Sequence, residues 1–83
     1  MRDEKEIFQT VTRIIANKAE INEREIRLEA DFRNDLHISS IVIVSIVLAV
    51  ETEFGLEISD EEIVALTTVG DAVRFISAKL NAA

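Results

Sequence analysis

The stretch His37–Phe54, HISSIVIVSIVLAVETEF, decides the fold. Nine of the ten residues from Ile41 to Val50 are apolar, and most of them are β-branched. Taken alone, such a run reads as a buried strand, because β-branched side chains pack well on a pleated surface. Three observations make it a helix instead. No other segment reads as a partner strand, and a lone strand leaves its backbone unpaired. The element continues through Glu51–Phe54 to Gly55, about fourteen residues, which is long for a strand and ordinary for a helix. Ser39 or Ser40 stands at the N-cap position and Gly55 at the C-terminal cap. A helix apolar nearly all round is expected at the centre of a bundle, or against an apolar partner.

The flanking segments support a helical bundle. From Asp3 to Ala19, Ile7, Phe8, Val11, Ile14 and Ile15 recur at spacings of three and four and share one face. Asp3 and Glu4 near the start and Lys18 near the end suit the helix dipole. Glu20–Ile38 has apolar residues without a period, so it reads as an ordered loop with room for a short helical turn. Ser59 with Glu62 forms a capping-box pattern opening a short helix, Asp60–Leu66, with Ile63 and Leu66 inward. Thr68 with Asp71 is a second, weaker box before a helix from Val69 to Leu80, whose Val69, Ala72, Val73, Ile76 and Leu80 form a face. The predicted fold is all-α. It is a small irregular four-helix bundle, three helices longer and one short, with a long loop between the first two.

Eighty-three residues are read as one domain, 1–83, with one modest core. The chain has no cysteine, one histidine and only two glycines, Gly55 and Gly70. That composition excludes a thiol nucleophile, a cysteine or multi-histidine metal site and a glycine-rich phosphate loop. No nucleophile–base set is visible, so an enzyme is the weakest reading. The formal charge of −7 opposes nucleic-acid and anionic-membrane binding. It is compatible with a basic protein partner, although solubility alone accounts for it. MRDEKEIF lacks the apolar core of a signal peptide, and the Ile41–Val50 run is far short of the roughly 18–20 residues that span a bilayer. A cytoplasmic protein without stable membrane insertion is expected.

Serine before an apolar helix is ordinarily a cap. It is also a favourable place for a phosphate ester, because free backbone N–H groups and the positive dipole end stabilise an anion. Here DFRNDLHISSI, followed by VETEFGLEISDEEIVALTTVGDAVRFI, resembles the acyl carrier proteins. Members of that family commonly carry DLG, one small residue and DSL, then a helix ending in EEEF, then I-P-D-E-E and TTV…AV…YI. The resemblance covers nearly the whole chain and is strongest from Asp31 to Ile76. It implies that Ser40 receives 4′-phosphopantetheine through a phosphodiester and that the arm carries an acyl group as a thioester. It also implies a bundle able to shelter the acyl chain. The partners would be a phosphopantetheinyl transferase and acyl-loading and acyl-using enzymes, and the chain would be a monomer.

Departures from the family pattern are local. Ser39 replaces the aspartate before the modified serine, Ile41 the following leucine, and His37 the glycine. Ser39 and His37 flank the attachment position, and His37 is close enough in sequence to contact a phosphate, although a lone loop histidine is more often solvated or packed. The family displays acids on its second helix to basic partners. The outward stripe expected here, Val42, Ser45, Ala49 and Thr52, is uncharged, and only Glu51 and Glu53 remain near the helix end. Acids there oppose the dipole, so they are either solvated at a cost of a few tenths of a kcal/mol or held by a partner. An uncharged stripe points to a specialised carrier in a lipid, polyketide or similar pathway, because specificity is a difference of affinities. The rival reading is an unmodified interaction module that binds a partner through the apolar second helix, with Ser40 only a cap.

Overall fold

The computed structural model describes residues 3–82, so the ends of the predicted 1–83 domain lie outside the described residues. Four α-helices follow in order: α1, Glu4–Ala19; α2, Ser40–Phe54; α3, Asp60–Ala65; and α4, Val69–Asn81. A 3-10 turn, Glu23–Glu25, interrupts the long connection between α1 and α2. No strand forms among the described residues, so the β-branched run is helical.

The helix ends lie where the caps place them. Asp3 Oδ1 accepts the Glu6 N–H at 2.8 Å and starts α1. Gly55, at φ 67°, ends α2 while its N–H donates to the Glu51 carbonyl at 2.8 Å. Both predicted capping boxes are present, Ser59 with Glu62 on α3 and Thr68 with Asp71 on α4. Lys79 joins these two helices, 3.1 Å from the Glu62 carboxylate, and its ammonium also donates to the Glu57 carbonyl at 3.1 Å.

The core differs from expectation in one respect. The central helix is α1, whose Ile7, Val11 and Ile15 are sealed and which packs against both α2 and α4. Phe8 and Ile14 sit at the flank, only partly buried. From α2, only Ile46, Val50 and Phe54 are buried, and Ile41, Val44 and Leu48 face outward. A helix with apolar residues all round has no side that must face water. A bundle this small buries one side of it and leaves the other bare.

The α1–α2 loop is ordered by α4. The Phe32 N–H donates to the Thr67 carbonyl at 3.1 Å, and an isolated antiparallel bridge pairs Asp31 with Thr68. The N–H groups of Val69 and Gly70 donate to the carbonyls of Ala30 and Leu28 at 3.0 and 2.7 Å. Ile26, Ala30 and Ile38 are buried beneath this seam. The aperiodic apolar residues are therefore pins across the core, and the backbone polar groups between them find partners on α4.

Candidate functional site

The site is built where the loop turns into α2. Asp31 organises the approach: its Oδ1 accepts the N–H groups of Arg33 and Asn34 at 2.9 and 2.8 Å. Its own N–H donates to Asp35 Oδ2 at 2.7 Å. Its carbonyl accepts the N–H groups of Asp35 and Leu36. The chain turns over residues 32–36, where the Ile38 N–H donates to the Phe32 carbonyl at 2.9 Å, and His37 follows in the left-handed conformation at φ 53°. This path buries Ile38 and leaves Ser39 in extended geometry at the mouth of the helix. The position where the family carries glycine is thus one where the backbone favours glycine.

The two serines divide the work. Ser39 is the N-cap, and its Oγ accepts the Val42 N–H at 3.4 Å. Ser40 is the first residue of α2, exposed, with its hydroxyl free of any capping role. Arg33 Nη2 donates to Ser40 Oγ at 2.7 Å. The first turn of α2 holds no acid. An exposed hydroxyl, an adjacent guanidinium and the positive end of a 15-residue helix together fit a phosphodiester anion on Ser40. His37 is exposed beside this corner.

The expected outward stripe lies slightly off the real one. Val42 is partly buried and packed on the core, Ser45 and Ala49 are half-buried, and Thr52 and Glu53 are exposed. The bare face runs instead through Ile41, 81% exposed, Val44, 52%, and Leu48, 58%. Near its C-terminal end, Ser45, Leu48, Ala49, Thr52 and Glu53 line a shallow groove with Lys18 of α1. Glu51 has an internal role that its spacing did not reveal: its Oε2 accepts the Ile58 N–H at 2.8 Å and ties the α2–α3 connection to α2.

Arg33 was not singled out by the sequence reading. It lies in the loop, seven residues before Ser40, where no helical period relates the two. The available signal was compositional, since Arg33 is the only Lys or Arg between Asp31 and Phe54. Behind the site lies an apolar cavity of about 50 Å³. Ile43, Ile46 and Val47 of α2 line it, facing Phe32, Leu66 and Phe75 among others. The lining is apolar, so the hollow offers water few hydrogen-bond partners.

Comparison with known proteins agrees with this geometry. The family described as "Phosphopantetheine attachment site" matches residues 9–76. The chain is 41% identical over 76 residues to the acyl carrier protein of Petrotoga mobilis, which covers 92% of this chain and 89% of the relative. The matched region takes in the ordered loop, the Ser39–Ser40 corner, α2, α3 and most of α4. The chain therefore belongs to the acyl carrier family: it is a carrier and not a catalyst, and it bears acyl intermediates on a covalent 4′-phosphopantetheine arm.

Proposed function

We propose that Ser40 is the attachment residue and that residues 1–83 form a single acyl-carrier domain, monomeric and cytoplasmic. One observation carries this reading. Of the two serines at the mouth of α2, Ser39 is occupied as the N-cap, whereas Ser40 presents an exposed hydroxyl. The arm supplies a terminal thiol, which a chain without cysteine lacks. The residues of the chain do the rest. Arg33 and the α2 N-terminus hold the anionic root of the arm, and the apolar cavity receives hydrocarbon cargo. No helix among the described residues is long and apolar enough to cross a membrane.

The partner surface we assign is the outward side of α2. It comprises Ile41, Val44 and Leu48, with Ser45, Ala49, Thr52 and Glu53 at its edge. A bare apolar side selects different partners from an acidic one, which supports a specialised pathway. The transferase and the acyl-handling enzymes would meet the chain here and at the Ser39–Ser40 corner.

The experiment is co-expression with a broad-specificity phosphopantetheinyl transferase followed by intact-mass measurement. Wild-type protein and Ser39→Ala should gain one arm, and Ser40→Ala none. An arm retained in Ser40→Ala would place the attachment elsewhere. Turnover by housekeeping fatty-acid enzymes as efficient as that of an ordinary carrier would refute the specialised pathway.

A further inference from the structure

Arg33 stands out because its guanidinium is spent on a hydroxyl. Its Nη2 donates to Ser40 Oγ at 2.7 Å, and no carboxylate pairs with it among the described residues. An arginine held on a neutral oxygen makes one hydrogen bond and meets no opposite charge, whereas its planar fork can make two parallel bonds to an anion. Its place is nonetheless well defined. Its own N–H donates to Asp31 Oδ1 at 2.9 Å, and Asp31 is bridged to Thr68 at the start of α4. The base of the side chain therefore stands on a seam shared by the loop and α4. The nearby acids are already engaged: Asp31 holds the N–H groups of Arg33 and Asn34, and Asp35 holds the N–H of Asp31.

We infer that Arg33 is the counter-ion of the phosphodiester that esterifies Ser40, and that it fastens the root of the arm to the α1–α2 loop. This rests on Ser40 being the attachment residue. Esterification converts Ser40 Oγ into one of the oxygens of a phosphodiester, which carries a full negative charge at neutral pH. The two unesterified oxygens then lie within a bond length or two of the acceptor Arg33 already holds. The guanidinium presents donors in a fixed planar fork that matches two phosphate oxygens. The anion also meets the positive end of α2, whose first turn contains no acid to repel it. Arg33 is a positioning residue: it limits the directions in which the arm leaves Ser40 and couples the state of the arm to the order of the loop.

The test compares wild type, Arg33→Ala and Arg33→Lys, each prepared with and without the arm and checked by intact mass. Thermal unfolding at low salt should show Arg33→Ala lowering the midpoint of the arm-bearing form by roughly 3–5 °C more than that of the unmodified form. Arg33→Lys should recover part of that difference. The difference should shrink near 1 M salt, where the Debye length falls to about 3 Å. The single phosphorus resonance of the arm-bearing protein should move in Arg33→Ala and less in Arg33→Lys, a readout that does not depend on stability. Equal midpoint losses in both forms, or a phosphorus resonance unmoved in Arg33→Ala, would overturn the inference while leaving Ser40 as the attachment residue. An arm that appears in wild type but persists in Ser40→Ala would overturn both.

Discussion

His37 shows how one residue records a backbone demand. Its φ of 53° costs a β-carbon-bearing side chain roughly 1–2 kcal/mol relative to glycine, partly offset because glycine has more freedom to lose on folding. His37→Gly should therefore stabilise the fold by about 0.5–1 kcal/mol in denaturant unfolding. A loss of stability on that substitution would mean that the imidazole makes contacts worth more than the strain. Glu51 teaches the same lesson from the other direction. A carboxylate near a helix C-terminus looks unfavourable along the sequence, but its bond to the Ile58 N–H gives it a local purpose. The Ser39–Ser40 pair is likewise settled one residue at a time, the cap by Val42 and the exposed hydroxyl by Arg33.

At the scale of elements, the N-termini of α3 and α4 share one device, an acid that accepts backbone N–H bonds across its capping box. The Ser59 N–H holds the Glu62 carboxyl below its ordinary value of 4.5, with Lys79 adding to the effect. The N–H groups of Thr68 and Thr67 hold Asp71 below 3.8, with Arg74 as a further donor. Lowered folded values mean that the unfolded chain binds these protons more tightly. The contribution of both acids is fully present above pH 4.5 and is lost as pH falls through the lowered values. Glu62→Gln and Asp71→Asn should unfold more easily than wild type at pH 7 and converge with it in acid. An offset that stays constant across that range would rule out the carboxylates as its source. The start of α4 makes a second prediction. A β-carbon at Gly70 would lie 3.0 Å from the Leu28 carbonyl oxygen, the same oxygen that accepts the Gly70 N–H. The gain in helix propensity for Gly70→Ala, about 1 kcal/mol, is outweighed by an overpacking cost of roughly 1–3 kcal/mol. Thermal unfolding should show a net loss, and equal or greater stability would mean that the loop yields easily there.

Across the whole molecule, the proposed storage of cargo would draw on the same interior that gives stability. The cavity borders core residues Val11, Ile15, Ile46, Val50 and Ile76, so the carrier keeps slack in the packing where other small domains are filled. Ala72 lines this space and is itself buried. Ala72→Val adds two methyl groups to a hollow of about 50 Å³, and the fold should remain cooperative. The same substitution should shorten the lifetime of a medium-chain acyl thioester severalfold in a hydrolysis assay, because the chain is displaced into water. An unchanged lifetime would show that the cargo rides outside the bundle.

The sequence by itself determined what depends on neighbours three or four residues away. The capping boxes at Ser59 and Thr68, the glycine stop at Gly55 and the buried faces of α1 and α4 were all legible, because each is a local hydrogen bond or a period matching the helix. The order of the DFRNDLHISSI and TTV motifs carried the family as well. Tertiary structure decided the rest. Which side of α2 is bare could not be read from a run apolar on every side, since only competition with α1 and α4 for one small core selects it. The loop residues took their places through backbone bonds to α4, far away in sequence. Arg33 met Ser40 because the turn over residues 32–36 brings the chain back on itself before α2, a juxtaposition that no period in the sequence announces.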